Sequence, residues 1–397
     1  MNLIDRIVQF QSDIARIRRD IHAHPELKFE EVRTAEVVAQ KLAEWGYAVD
    51  RGLGKTGVVG TLKVGNGSNG VGLRADMDAL PLVEHNAFAH KSIHEGRMHA
   101  CGHDGHTAML LAAAQYLAES KNFDGTLHVI FQPAEEGGGG ARVMIEDGLF
   151  DRFPCDAVFG MHNWPGAAVG TFGVTPGPMM ASANQFEITI TGKGAHAAMP
   201  HNGNDPIMVA VAIAQNLQTL ITRNKKPIDT AVLSITQIHA GDAYNIIPNE
   251  AVLRGTVRTF TNEVLDLIES GMQRIVAGTA ATFGAEAAMT FDRAYPPTIN
   301  HPKETAFAVG IMRDVVGDAN TMTDIEPTMG AEDFAFMLQA RPGCYVFIGN
   351  GDGEHREMGH GMGPCMLHNP SYDFNDALIP IGATYWVRLA EKFLAPA

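Results

Sequence analysis

Apolar residues at Ile4, Ile7, Val8, Ile14 and Ile17 recur at helical spacing, which predicts a helix over residues 3–20. Pro25 breaks the pattern because it lacks a backbone donor. A second helix is expected over 31–45, stopped by Gly46. Two strand-like runs at 57–64 and 71–78 flank a turn, Gly65-Asn66-Gly67-Ser68-Asn69-Gly70. An alanine-rich helix at 104–119 presents Met109, Leu110, Ala113, Tyr116 and Leu117 for packing. Apolar strands are expected at 125–132 and 157–162, and the first opens directly into Pro133-Ala134-Glu135-Glu136 and four glycines. Glycine costs backbone entropy, so that run is read as chain passing close to a ligand or metal. The alternation of strands and helices points to a larger α/β domain on a central, mostly parallel sheet.

From about Gln185 the pattern changes. Phe186, Ile188 and Ile190 alternate with Glu187, Thr189 and Thr191, as in a half-exposed strand. Asp205-Pro206 reads as N-cap and first helical residue of a helix to about Arg223. Strands at 230–239 and 251–260, a helix at 263–283 and a strand at 286–293 complete a β-α-β-β-α-β order, the ferredoxin-like arrangement. The chain is therefore read as a discontinuous α/β domain, residues 1–184 and 294–397, interrupted by a smaller α+β domain at 185–293. The returning segment supplies helices near 303–315 and 332–340, a strand at 344–349, a glycine- and histidine-rich loop, and a helix from Asp376.

Composition narrows the classes of function. A chain of 397 residues exceeds one ordinary core, and 45% apolar with 19% charged residues suits a folded globular protein. A formal charge of −15 argues against nucleic acid, which needs clustered Lys and Arg. No apolar run reaches the roughly 18 residues that would span a bilayer. The start, Met1-Asn2-Leu3-Ile4-Asp5-Arg6, shows no secretion signal, and four scattered cysteines make no disulfide framework. The expectation is a reduced, cytoplasmic enzyme with neither membrane nor nucleic acid as partner.

Candidate chemistry concentrates in Met98-His99-Ala100-Cys101-Gly102-His103-Asp104-Gly105-His106-Thr107 at the mouth of a helix. Cys101 and His103 are close enough for one loop to supply both, and thiolate with imidazole suits zinc or a similar transition ion. Asp76 and Asp78, Glu135 and Glu136, and His162 all end strands, at the edge where open α/β sheets bind ligands. Cys101, His103, Glu136, His162 and one histidine of the returning segment (His355, His360 and His368 are the candidates) make five ligands. Five exceed one tetrahedral site with an open position. They suit two divalent ions about 3.5–4 Å apart, bridged by the Cys101 thiolate. Glu135, beside a ligand but pointing elsewhere, is then placed to take a proton from water.

Seven stretches together resemble a known family: Arg18-Arg19-Asp20-Ile21-His22-Ala23-His24-Pro25-Glu26-Leu27, Arg74-Ala75-Asp76-Met77-Asp78-Ala79-Leu80, the Cys101–Thr107 cluster, Phe131-Gln132-Pro133-Ala134-Glu135-Glu136, Gly160-Met161-His162, Gly192-Lys193-Gly194-Ala195-His196 and Leu367-His368-Asn369-Pro370. The chain is similar to the two-metal aminoacylase and carboxypeptidase family, in its branch of hippurate hydrolases, N-acyl-amino-acid amidohydrolases and auxin-conjugate hydrolases. The resemblance implies that Cys101, His103, Glu136, His162 and His368 bind metal, Cys101 replacing a bridging aspartate. It implies a general base at Glu135 and, at Asp78, a carboxylate that orients a metal ligand. His196 would contact the oxyanion, and Asn245 and Arg258 the substrate carboxylate, for which arginine has a matching fork. The inserted domain would serve as lid and dimerisation domain, in a homodimer or homotetramer. The cofactor would be two divalent ions, zinc or manganese, with cobalt and nickel compatible. The implied reaction is hydrolysis of a small N-acyl amino acid, hippurate being the type.

Other readings explain less. A cysteine hydrolase pairing Cys101 with His103 or His106 leaves Glu136, His162 and His368 without a role. A binding module has no need of Glu135. A metal-dependent dipeptidase or carboxypeptidase, or an N-acetyl-diaminopimelate-type deacetylase, remains open because the same centre cuts either bond. Cys155, Cys344 and Cys365 are read as small core residues. His85, His90, His94, His99 and His106 are read as surface residues or as neighbours of ligands, with a role for His106 left open.

Overall fold

Short runs of Val, Leu, Ile and Phe bounded by glycine and proline form the middle of an eight-stranded mixed sheet. The computed structural model describes residues 1–356 and 358–396, in two units. The larger comprises Met1–Met179, Ile299–Glu326 and Asp333–Ala397, and the smaller Met180–Thr298 and Pro327–Glu332. In the larger unit the strands stand in the order Ala48–Leu53, Gly57–Val64, Gly125–Gln132, Gly70–Asp76, Ala157–Pro165, Gly343–Gly351, Phe172–Gly173 and Thr321–Met322. The four from Gly125–Gln132 to Gly343–Gly351 run parallel and are buried along almost their whole length. Burial on both faces is why they read as continuous apolar runs. The runs at 57–64 and 71–78 are joined by their turn but do not pair. Gly125–Gln132 lies between them, antiparallel to the first and parallel to the second.

Helix His103–Ser120 is buried nearly all round, from His103 to Ala114 without interruption, which explains its alanine content and weak amphipathicity. It packs between Asp5–Ala23 and Leu378–Phe393. The first helix differs from its apolar pattern. It buries Ile7, Phe10, Ile14, Arg18, Ile21 and His22, while Val8 is exposed. Arg18 sits inside because carboxylates surround it: Nε donates to Asp376 at 2.8 Å, and Nη1 to Asp373 at 3.1 Å and Asp104 at 3.3 Å. The planar fork of a guanidinium spreads five donors in fixed directions, which suits carboxylates arriving from several sides better than the single ammonium of a lysine.

The smaller unit is a four-stranded antiparallel sheet in the order Ala231–His239, Glu250–Thr259, Ala183–Thr191, Glu286–Tyr295. Helices Pro206–Thr219 and Asn262–Thr282 pack on it through Val209, Ile213, Leu265, Ile268 and Met272. Asp205 and Thr261 cap them, accepting from the N–H groups of Ile207 and Val264. Among the described residues, no helix is long and apolar enough to cross a membrane.

A second buried charge sits just ahead of helix Val32–Glu44. Glu31 accepts from the N–H groups of Phe29 at 3.0 Å and Ala134 at 2.8 Å, and from the Thr56 hydroxyl at 2.5 Å. Burial outweighs these bonds and lifts its carboxyl to about 7.

Two outcomes are expected. Arg18→Met removes the guanidinium that Asp104, Asp373 and Asp376 share, leaving Asp104 only His22, and should cost about 3–5 kcal/mol in chemical denaturation. An unchanged midpoint would contradict that account. For Glu31, the folded state holds the proton more tightly than the unfolded state. Its favourable contribution is therefore present below about pH 4.5 and is lost as pH rises through about 7. The slope is at most about 1.4 kcal/mol per pH unit. Glu31→Gln removes it, so wild-type and variant stability curves should diverge across that window, and parallel curves would refute the shift.

Candidate metal centre

Three parallel strands carry ligand-type residues to one edge of the larger unit's sheet. Gly70–Asp76 leads to Asp78, Gly125–Gln132 to Glu135 and Glu136, and Ala157–Pro165 holds His162 near its end. These are C-terminal strand ends, where open parallel sheets place their sites. Cys101 and His103 come from the start of helix His103–Ser120, and His368 from the loop after Gly343–Gly351. Gly102, between the first two, has φ of 90°, and a Cβ there would collide with the Asn163 amide and Tyr372 hydroxyl. No other residue type fits that position. In the Glu135-Glu136-Gly137-Gly138-Gly139-Gly140 run the reason for glycine is internal to the protein. At Gly140 a Cβ would strike the Pro133 carbonyl, so this glycine answers to a backbone turn.

The Asp78 carboxylate organises the acidic loop. It accepts from Glu135 N at 3.0 Å and Glu136 N at 2.9 Å, and its Oδ1 lies 3.2 Å from His103 Nδ1. That contact fixes the proton on His103 Nδ1, since a carboxylate only accepts. His103 Nε2 is left buried with no hydrogen bond. His162 is arranged alike: Nδ1 donates to Asn163 O at 2.6 Å, and Nε2 faces the Cys101 sulfur at 3.4 Å. On the other side His368 Nε2 stands 3.1 Å from Glu136 Oε1. Potential ligand atoms of Cys101, His103 and His162 lie within 4.8 Å of one another, as do those of Cys101, Glu136 and His368. Cys101 belongs to both sets.

The electrostatics suit cations. Burial, then the carboxylates of Glu136, Glu135 and Asp76, hold the Cys101 thiol well above its ordinary value. His103 is opposed by burial, yet Asp76 and Asp78 push it up to about 10. Burial holds His162 well below its usual range, so its ring stays neutral. A buried thiol among carboxylates beside two oriented imidazoles favours a positive ion in their midst, and such an ion reverses the penalty on the thiolate. The donor set therefore fits divalent metal.

The other named residues separate. His355 and His360 turn to backbone carbonyls, Asp373 O at 3.2 Å and Gly361 O at 2.7 Å, while His368 reaches Glu136. His85 and His94 are exposed, His90 stacks on Phe88 with ring centroids 3.8 Å apart, and His99 is buried. All four cysteines are free and buried. In the smaller unit His196 and Asn245 are neighbours: His196 pairs with Ile246, and Ala197 N donates to Asn245 O at 3.0 Å. Both are exposed. Arg258 is half-buried on another strand, opposite Val232.

Some contributors escaped the sequence reading. Asn163 bonds Cys101 O at 2.7 Å and the Tyr372 hydroxyl at 2.8 Å. Asp333 accepts from Gln132 at 2.8 Å and Ala141 N at 2.9 Å, and its own N–H points to Glu135 Oε1 at 3.4 Å. Polar residues inside an apolar strand, as at Asn163, were the available signal. Two residues past His162 on the same strand, Trp164 stacks on Phe347 at 4.2 Å, and both line an apolar cavity of about 350 Å³ with Phe172, Met322 and Ile325.

Comparison with known proteins agrees with this geometry. The profile of peptidase family M20/M25/M40 matches residues 72–392. A hippurate hydrolase of Campylobacter jejuni is 44% identical over 394 residues, spanning 99% of this chain and 100% of that protein. An N-acetyl-L-cysteine deacetylase of Bacillus subtilis is 38% identical, over 97% of this chain and 88% of that protein. A solved Bacillus subtilis structure, described as a dinuclear metal binding peptidase of the M20 family, superposes with a TM-score of 0.83 at 34% identity, covering 98% of this chain and 99% of that one. This chain accordingly belongs to the peptidase family M20/M25/M40, and it is a hydrolase of amide bonds.

Proposed function

We propose that the enzyme hydrolyses N-acyl amino acids of the hippurate type to a carboxylic acid and an amino acid. Two divalent ions, zinc or manganese by ligand chemistry, would be held by Cys101, His103, Glu136, His162 and His368. The observation that carries this reading is the buried Cys101 thiol, shared by two sets of three converging donors. When bound, the ions supply a lowered water pKa and polarisation of the amide carbonyl.

The chain's own groups do the rest. Glu135, 7% exposed and steadied through Asp333 N and Asp78, takes a proton from the attacking water. The water oxygen adds to the carbonyl carbon, the C–N bond breaks, and Glu135 returns the proton to the leaving amine. Asp78 keeps the His103 tautomer and the Glu135-Glu136 backbone in place. His196, Asn245 and Arg258 keep the roles that the family resemblance gives them, oxyanion contact for the first and substrate carboxylate for the others. Trp164 lies two residues past His162, and the apolar cavity that it lines with Phe347 is the surface proposed to take an aromatic acyl group. Free cysteines support a reducing cytoplasm as the setting, and the family supports a homodimer or homotetramer.

The test is amine release from hippurate, N-acetyl amino acids and dipeptides, with chelated and metal-reconstituted protein. Metal-dependent cleavage of the acyl amino acids, benzoyl above acetyl, is expected. Cleavage of dipeptides alone would replace this substrate with a peptide. Glu135→Gln should retain metal and lose about 10²–10⁴-fold in turnover. Retained turnover would remove Glu135 as the base.

A further inference from the structure

His106 is 2% exposed, and both its ring nitrogens are engaged. Nδ1 lies 2.6 Å from Asp76 Oδ1, while the other Asp76 oxygen is held by Arg74 Nη1 at 2.8 Å. Nε2 faces two donors, the backbone N–H and the side-chain amide of Asn163, each at 3.0 Å. A carboxylate on one side and N–H groups on the other allow one arrangement: neutral imidazole, protonated at Nδ1, with the Nε2 lone pair accepting.

The need for that acceptor comes from the sheet. Pairing between Gly70–Asp76 and Ala157–Pro165 stops at Arg74 and Gly160. Beyond it, the N–H of Asn163 has no strand on that side, and His106 takes the place of the missing ladder partner. The peptide so held joins His162 to Asn163, and the Asn163 amide also holds the Cys101 carbonyl. One imidazole thus ties two proposed metal donors, from separate segments, to the buried Arg74–Asp76 pair. The ligand atoms of Asp76, His103 and His106 also lie within 4.8 Å of one another, but with both His106 nitrogens in hydrogen bonds that trio is not a metal site.

The geometry points to His106 as a positioning residue of the metal centre, which sets where the Cys101 and His162 donors stand without touching metal or substrate. This rests on the two-metal reading above.

Two substitutions divide the ring's functions. His106→Gln can put an amide oxygen near the Nε2 position and keep an acceptor for Asn163. His106→Asn can put an amide N–H near the Nδ1 position and keep only the donor to Asp76. Zn²⁺ and Co²⁺ affinity would be measured by chelator competition, and the Co²⁺ protein by its electronic spectrum, alongside unfolding of the metal-free variants. The Asn variant should lose about 10–100-fold in affinity and change the cobalt spectrum. The Gln variant should stay within a few-fold of wild type, although both metal-free variants unfold alike. Equal loss in both, or wild-type affinity and spectrum in both, overturns the assignment. Wild-type protein that binds metal but leaves N-acyl amino acids intact would overturn the proposed reaction and leave the His106 ordering to stand or fall on the affinities. Wild-type protein that binds no metal overturns both.

Discussion

A single buried carboxylate, that of Asp78, ties three segments together just beyond the point where strand pairing ends. Its oxygens take the N–H groups of Glu135 and Glu136 and fix the His103 proton. The residue ahead of them, Ala134, has φ of 55°, a left-handed conformation that costs a non-glycine residue about 1–2 kcal/mol. Glu31 and Asp78 stabilise that bend from two sides, since Glu31 accepts the Ala134 N–H. The sharp turn aims two adjacent glutamates differently, Glu136 toward Cys101 and His368, and Glu135 toward Asp333. The side-by-side placing of the proposed base and the proposed ligand thus follows from backbone geometry.

Beneath this layer, two buried arginines carry the balancing charge. Arg18 serves Asp104, the residue after His103, together with Asp373 and Asp376. Arg74 joins Asp76 to Asp333 at 2.8 and 3.1 Å. Each arginine neutralises carboxylates that brace a loop of the site, so the first helix and the sheet are coupled to the metal centre electrostatically as well as by packing. Removing one partner of such a set leaves a buried charge uncompensated, which is why these positions tolerate little.

The candidate donor residues were legible because their chemistry is uncommon in cores: thiol, imidazole and carboxylate at the ends of apolar strands have few packing explanations. The structure brings Cys101, His103 and His162 within 4.8 Å of one another, and likewise Cys101, Glu136 and His368. What periodicity could not supply was pairing and facing. The runs at 57–64 and 71–78 give no hint that Gly125–Gln132 separates them, because strand order is set by contacts distant in sequence. The first helix misled for a related reason. Val8 looks more apolar than Arg18, yet Arg18 is inside because three aspartates from elsewhere await it. That Gly140 makes room for Pro133 O was likewise not visible in the run of four glycines. The clamp of His106 on Asn163 was hidden too, because it depends on where one strand ladder ends.

The order of the donors along the chain has its own consequence for biosynthesis. Cys101, His103, Glu136 and His162 leave the ribosome well before His368, with the whole smaller unit translated in between. On the proposed ligand set, a nascent chain therefore carries four of the five donors for a long interval before His368 is made. During that interval the thiol is open to the wrong ion or to an oxidant, and the folding of the larger unit cannot finish to protect it. On that proposed set, complete loading waits for the return of the chain, which places the demand for metal after synthesis.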